Sequence, residues 1–548
     1  MAELSHVDRL MGYGQTGWHR GQLLGFSGVE RAVPADHEGA IILRTMTEPA
    51  GLAVVFPGEA RLIFAAKPAH AVVSNDFFIA DGNVIGVLPD PYHLLIEGAV
   101  HIDGVSADLR VVAEDGRTLI GTAAHFDASL LQSDLHGHLA KRAAWIEQQP
   151  LLAGAEGPRK EIVFRALAVM KGQVSGPEAA LTQAWTTPDR FPHKDMWLWD
   201  SVFHAIGWRH LDLPLARQMI EAVFDGQRPD GFVPHQMSPT RRPSSYTQPP
   251  ILALGVKLVN DMAPDPDWVA GLYPKLAAAV EWDLNNRDHD GDGLLEWFIE
   301  GDPTSRSGES GMDNSPRFDF NYPTALAVTD FNAYIAHECE ILAGFAQDIG
   351  RAADAMLWGG RHSSLCHRIN NSLWSDAYAF YCDYDSNAGE RSPVLASAGF
   401  LPLLCGAPSL DQAKRLLQHL HNPETFGTAF PVPSVAASDL GHYSKDMWRG
   451  PTWVNINWLI ARGLERYAPY DRAFGDAAAA IDRATIAEIE RCAARYGTFF
   501  EYYDDRREVD PPQLMRKGEC NPDNPFRQVI HDYGWTTTLY LDLIARSG

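Results

Sequence analysis

From about residue 158 onward, Ala- and Leu-rich segments with the period of a helix recur, separated by irregular loops. Two alternating series can be read. Residues 160–172, 213–224, 268–286, 351–374, 410–420 and 472–495 keep a polar face, as outer helices do. Residues 200–210, 249–260, 322–349, 393–405, 451–467 and 534–546 are apolar around more of their circumference, as inner helices are. Six such pairs are the number that closes an (α/α)6 barrel. A barrel of that size also absorbs length that one ordinary core cannot, since 548 residues otherwise call for at least two domains.

The stretch ahead of the helices reads differently. Between about 15 and 150, short β-branched and apolar runs at 40–43, 52–56, 84–88 and 109–112 are broken by Gly, Asp-Gly and Pro, a pattern of short antiparallel strands. The fold class expected is therefore mainly α, an (α/α)6 barrel catalytic domain over 156–548 preceded by an antiparallel β-sandwich domain over 1–155. The sandwich holds no catalytic constellation, and its expected role is structural.

A net charge of −24 argues against nucleic acid as a partner, because phosphate binding needs clustered Lys and Arg. No stretch of 18 apolar residues predicts a membrane span, and the opening residues lack the basic and apolar regions of a signal peptide. The expectation is a cytoplasmic protein with a small-molecule carbohydrate as its partner. Six cysteines without a CxxC pair or zinc-like spacing read as free thiols. Fifteen tryptophans, many beside Asp, Arg or Gly, suit the stacking of sugar rings.

The unusual residues gather in the loops before the inner series. Trp197-Leu198-Trp199-Asp200 places two indoles and a carboxylate at a helix start, although Asp200 or Ser201 could equally be a plain cap. Gln248, stiffened by Pro249 and Pro250, carries the donor and acceptor that sugar hydroxyls need. The run 288–293 resembles the first half of a calcium loop, with Asp288, Asp290 and Asp292 at alternate positions and Gly293 sixth; Ile299 at position twelve departs from the pattern, so a more distant carboxylate would have to complete it. Glu309–Arg317 sets Asp313 in an acidic loop that is poor core material, and Glu501 stands among four aromatics. Hydrolysis of a glycosidic bond needs two carboxyl groups, one to protonate the leaving oxygen and one to activate water or attack carbon.

On Trp199-Asp200-Ser201 with Phe203-His204, Glu309-Ser310-Gly311-Met312-Asp313-Asn314-Ser315-Pro316-Arg317, Trp448-Arg449-Gly450-Pro451 with Trp453 and Asn457, and Phe500-Glu501-Tyr502-Tyr503, the chain resembles glycoside hydrolase family 63. The resemblance is strongest to the bacterial branch of mannosylglycerate and glucosylglycerate hydrolases and covers roughly 160–548. It implies an (α/α)6 barrel that hydrolyses an α-glucoside or α-mannoside with inversion, Asp313 being the general acid and Glu501 the base. It also implies a sugar pocket lined by Trp197, Trp199, Asp200, Gln248, Asn314, Arg317, Trp448, Arg449 and Trp453. No cofactor is required for that chemistry; some larger members bind calcium, in keeping with a structural ion at Asp288, Asp290 and Asp292. Two rivals remain at this level. A sugar epimerase would need a histidine pair, for which His204, His235, His442 and His531 are available, and a non-catalytic carbohydrate-binding protein would keep the pocket without the chemistry.

Overall fold

The computed structural model describes residues 5–14, 17–29, 39–302, 304–319 and 326–547. The chain forms two compact units, one of Met1–Asp195, Ile489–Phe499 and His531–Gly548, the other of Met196–Glu488 and Phe500–Ile530.

In the first unit two antiparallel sheets are present. One runs in the order Leu23–Gly25, Ile42–Thr47, Ala50–Phe56, Ala60–Phe64, Val100–Asp103; the other in the order Leu109–Glu114, Arg117–Thr122, His93–Glu97, Val84–Asp90, Phe77–Ala80, Ala71–Val73. Strand alternation turns Leu43, Leu52 and Leu62 of the first sheet and Phe78, Leu94 and Ile120 of the second into one apolar cluster with Trp18, so two layers share a core. Of the strand runs read from the sequence, 52–56, 84–88 and 109–112 lie inside strands, and 40–43 enters one only at its last two residues. The helix Leu135–Glu147, capped by Asp134, was not legible as one. Later in the same unit the helices Pro158–Gly172 and Gly534–Ser547 pack together. Asp532 ties several of these pieces: its carboxylate accepts from Leu23 N at 2.7 Å and Thr498 Oγ1 at 2.7 Å and pairs with buried Arg165.

The second unit holds most of the helices. Every residue of Leu198–Trp208 is buried, as is nearly all of Val454–Glu465, whereas Ala352–Arg368 buries only Trp358 and Leu365. That contrast is the expected one between inner and outer series for these helices, but Pro158–Gly172, expected to keep a polar face, is buried at every residue from Ile162 to Gly172. Leu213–Val223, Pro266–Asn286 and Leu410–His421 supply further outer-type helices, and Arg472–Tyr496, the longest among the described residues, belongs to this unit as far as Glu488. Three segments of the inner series differ from expectation. The stretch 393–405 is a turn at Ser397–Phe400 followed by a single helical turn, Pro402–Cys405, because Pro402 interrupts the backbone donors and left-handed Gly406 ends the segment. The helix expected from 322 runs Thr329–Asp348, and residues 322–325 lie outside the described residues. The helix expected from 249 begins at Leu252, with no side-chain cap of its own; instead the carboxylate of Glu338, from Thr329–Asp348, accepts from Ala253 N at 2.7 Å and Leu254 N at 2.9 Å.

All six cysteines are free thiols. Among the described residues, no helix is long and apolar enough to cross a membrane.

Candidate active site

The Glu309–Arg317 loop is held largely by its own side chains. Ser310 Oγ donates to Ser307 O at 2.7 Å and accepts from Met312 N at 3.0 Å, while Gly308 N donates to Glu300 Oε1 at 2.9 Å. Glu309, wholly buried, accepts two bonds from Arg287 at 2.6 and 2.9 Å and one each from Thr247 N and Phe298 N. It is thus a loop anchor, paired with Arg287. Gly311 adopts φ +68°, and an added Cβ there would meet the Trp199 ring at 2.5 Å, so the loop passes directly over that indole. Two residues on, the Asp313 side chain keeps 27% of its surface exposed, and its Oδ2 lies 3.5 Å from Lys517 Nζ.

Three later loops are knitted to one another. Thr452 and Tyr503 exchange backbone bonds at 2.9 and 3.1 Å, Met515 N donates to Lys445 O at 2.9 Å, and Tyr502 Oη donates to Met515 O at 2.5 Å. Within this frame Glu501 is buried and paired with Arg516, Nε to Oε2 at 2.9 Å and Nη2 to Oε1 at 3.4 Å. Arg516 and Lys517 are successive residues, so one turn attends to both carboxyl groups.

Several residues singled out from the sequence are joined in one contact chain. Trp199 N donates to Gln248 Oε1 at 3.3 Å, and the Trp199 ring lies 6.5 Å from that of Trp448. Trp448 stacks on Trp453 at 3.7 Å with planes 4° apart, and Trp453 abuts Tyr502 at 4.7 Å. Asn314 joins this layer to the acidic loop, its Oδ1 accepting from Trp448 N at 3.0 Å and its backbone oxygen from Arg449 at 3.1 Å. Trp199, Trp448 and Trp453 are almost fully buried, so they form a layered wall rather than free platforms. Arg449 is also bound in a fork to Asp319.

The remaining residues have other occupations. Arg317 is buried between Asp330, at 2.6 Å, and Asp383, at 3.0 Å; these carboxylates outweigh the cost of burial and hold its guanidinium charged. Its bonds therefore brace the loop from within. Neither Asp200 nor Ser201 caps the Leu198–Trp208 helix: Trp197 stands at that position and its side chain makes no capping bond, and Asp200 lies buried in the first turn, where the helix dipole favours an acid. Trp197 is half-buried and meets the His235 ring edge-on at 4.9 Å. His235 in turn stacks on Tyr246 at 4.2 Å. Burial, with the charges of Glu300, Asp313 and Glu309, pushes the Tyr246 hydroxyl up to about 12, which keeps it a neutral hydrogen-bonding group beside Asp313. Tyr246 had no assigned place in the sequence reading beyond its Pro-flanked turn, whereas the dense charge after Glu501 leaves Arg506, Arg507, Arg516 or Lys517 equally able to meet an aglycone carboxylate or to lie on the surface.

The acidic loop closes on itself as a cation-binding loop would. Asp288 accepts from Gly291 N and Gly293 N, Asp292 from Leu294 N, and both glycines take left-handed φ. Carboxylate oxygens of Asp288, Asp290, Asp292 and Glu296 all lie within 4.8 Å of one another. Glu296, the fourth member, sits nine positions into the loop rather than twelve. Its Oε2 accepts from His289 N at 2.8 Å, while Oε1 is buried with no hydrogen-bond partner.

Comparison with known proteins follows the same lines. A family model described as the mannosylglycerate hydrolase MGH1-like glycoside hydrolase domain matches residues 192–536. A mannosylglycerate hydrolase of Thermus thermophilus is 28% identical over 402 residues, which are 59% of this chain and 91% of the relative. A glucosylglycerate hydrolase of Mycolicibacterium hassiacum is 23% identical over 439 residues, 63% of this chain and 92% of the relative. The crystal structure of a family 63 mannosylglycerate hydrolase from Thermus thermophilus in complex with glucose superposes with a TM-score of 0.55 at 26% identity, covering 69% of this chain and 98% of that one. With the match running through the acidic loop, the stacked tryptophans and Glu501, the chain belongs to the MGH1-like glycoside hydrolases of family 63.

Proposed function

We propose that the protein is an inverting α-glycosidase acting on a short α-glucoside or α-mannoside, of the glycosylglycerate or small-oligosaccharide type, in an (α/α)6 barrel over 156–548 that follows a β-sandwich over 1–155. Asp313 is the general acid that protonates the leaving oxygen, and Glu501 is the general base that activates water. The observation that carries this reading is the single turn whose successive residues, Arg516 and Lys517, hold Glu501 and Asp313 respectively. Arg516 partners the charged form of Glu501 and fixes its oxygens, as a base requires. Asp313, partly exposed, remains accessible to a substrate. Trp197, Trp199, Asp200, Gln248, Asn314, Trp448, Arg449 and Trp453 form or support the pocket for the non-reducing sugar, and Arg317 braces its floor. Similarity to mannosylglycerate and glucosylglycerate hydrolases favours a glycerate-like aglycone.

No cofactor enters the chemistry. A structural calcium belongs to the proposal at Asp288, Asp290, Asp292 and Glu296, where the orphaned Glu296 Oε1 is the oxygen a cation would satisfy. Free thiols, exposed Cys520 among them, suit a reducing cytoplasmic setting. The epimerase alternative is disfavoured because burial pushes His204 and His531, two of its four histidines, down to about 3, out of range for proton exchange near neutrality.

The test is a panel of α-glucosides and α-mannosides, glycerate and disaccharide forms included, with the released anomer followed by NMR. An initially β-configured sugar is expected. Asp313→Asn and Glu501→Gln should each lower kcat by about 10²–10⁴-fold without loss of helical circular dichroism; near-normal turnover in both variants, or a sugar released first as the α-anomer, would sink the assignment. An inverting enzyme also requires the two carboxyls to stand about 6.5–9.5 Å apart in an experimental structure.

A further inference from the structure

The turn that attends to both carboxyls contains a residue that general acid–base chemistry does not itself require. Arg516 N donates to Glu519 O at 2.6 Å, with Lys517 at φ 57° and Gly518 at φ 83° between them. Two successive left-handed residues make this a two-residue turn of the type that favours Asn-Gly. Gly518 fits its place, but a lysine in the first position is held against its backbone preference. Strain of this kind is kept where surrounding structure insists on it; here Gly518 N is anchored on Asp446 Oδ2 at 2.9 Å. The result aims the Lys517 ammonium at Asp313 Oδ2, 3.5 Å away.

Lys517 also lines a cavity of about 200 Å³ with Thr304, Asn314, Asp446, Arg449 and Gly518. Its two cations differ in their commitments. The Arg449 guanidinium is forked onto Asp319 and bonded to Asn314 O. The Lys517 ammonium has three donors and turns one side to Asp313. Glu300 and Asp302 are also within electrostatic reach of Lys517, and Glu300 and Tyr246 feel Asp313. An anion entering this space therefore depends on Lys517.

Resting on the hydrolase reading above, we infer that Lys517 is the specificity-determining residue for an aglycone carrying a carboxylate next to the glycosidic oxygen, and that this carboxylate draws the ammonium away from Asp313. While paired with Lys517, Asp313 Oδ2 faces the ammonium rather than a leaving oxygen. Once the ammonium, keeping its three protons, has moved to the substrate anion, Asp313 Oδ2 is free to face the leaving oxygen; it gives that oxygen a proton taken up from solvent hydronium, while Glu501 takes one from the attacking water. Geometry limits where the anion can be. The acid must come within about 3 Å of the glycosidic oxygen, and Lys517 lies 3.5 Å from the acid. The anion then belongs one or two bonds from that oxygen, as in a 2-O-glycosylated 2-hydroxy acid; a distal charge would not reach.

The experiment compares 2-O-α-mannosylglycerate with 2-O-α-mannosylglycerol, and the matching glucosyl pair, on the full chain. Each pair differs only in carboxylate against hydroxymethyl. Lys517→Asn suits the left-handed turn position and removes the charge, while Lys517→Arg keeps it. The wild type should favour the carboxylate member, and Lys517→Asn should lose at least tenfold more kcat/KM on that member than on the neutral one, with part of the preference returning in Lys517→Arg. The alkaline limb of the kcat profile, which belongs to the general acid, should shift in Lys517→Asn with the carboxylate substrate. Equal losses on both members, or an unchanged preference, would overturn the role of Lys517. A wild type that cleaves other α-glycosides but neither carboxylate substrate would overturn it too, leaving the hydrolase reading intact; failure on every α-glycoside would remove both.

Discussion

Alanine at position 311 should be among the most damaging small substitutions in the second unit. Gly311 sits at φ +68°, where any side chain costs about 1–2 kcal/mol. The new Cβ would also stand 2.5 Å from Trp199 Cζ2, 2.7 Å from Cη2 and 3.0 Å from Cε2. Carbon contacts are comfortable at about 3.5–4.0 Å, so loop or ring must move by about 1 Å. Trp199 has little freedom to do so, since its N–H is bonded to Gln248 and its ring is wedged between Phe203 and Trp448. Overpacking of this kind costs about 1–3 kcal/mol, which brings the total to about 2–5 kcal/mol against a domain stability of about 5–15 kcal/mol. Guanidinium unfolding followed by tryptophan fluorescence measures it, each transition being fitted separately because the chain has two units. Gly360→Ala is the control: in the Ala352–Arg368 helix its Cβ meets nothing within 4 Å, and it should stabilise by about 0.5–1 kcal/mol. Because Asp313 is two residues further along, turnover should fall with Gly311→Ala as well. A variant that unfolds within about 0.5 kcal/mol of the wild type, inside the spread of ordinary surface changes, would refute the claim that the loop is pinned on the indole.

Burial pushes the His204 imidazole down to about 3, below its unfolded value of 6.5, so its contribution is fully present above pH 6.5 and is lost as pH falls toward 3. At pH 5 the loss is about 2 kcal/mol, and His204→Asn should show a correspondingly flatter stability profile between pH 7 and 5; parallel profiles would contradict it. Calcium at millimolar concentration should raise the midpoint of thermal unfolding, an effect reversed by chelation and absent in Asp290→Asn. A wild-type midpoint indifferent to calcium and chelator would remove the proposed ion.

Much of the helical plan was legible because burial imposes its period directly: Leu198–Trp208 is buried all round and reads so, and Ala352–Arg368 shows water on most faces. Boundaries were less visible where the deciding partner is far away in sequence. Pro402 and Gly406 cut one inner segment to a single turn, and the start at Leu252 depends on Glu338, 86 residues later. Within the site, residue types announced the carboxyls and tryptophans but not their company. Nothing local in Arg317 says that Asp330 and Asp383 enclose it, and nothing local in Asp313 names Lys517 as its neighbour. Glu296 escaped the calcium pattern because its spacing is that of a shorter loop.

The Glu338 contact has a consequence for the order in which this fold can assemble. A helix that caps itself can start from its own sequence; Leu252–Asn260 cannot, having no local cap and only nine residues, too few to persist alone in water. Its first turn closes only when the carboxylate of Thr329–Asp348 arrives. Gln248, and through it the backbone of Trp199, hangs from the segment just before that turn. That start, and with it the Gln248 contact to Trp199, is therefore a late acquisition of the chain during synthesis: ribosome-bound fragments ending before residue 338 should leave it unformed, however complete their own helical sequences are.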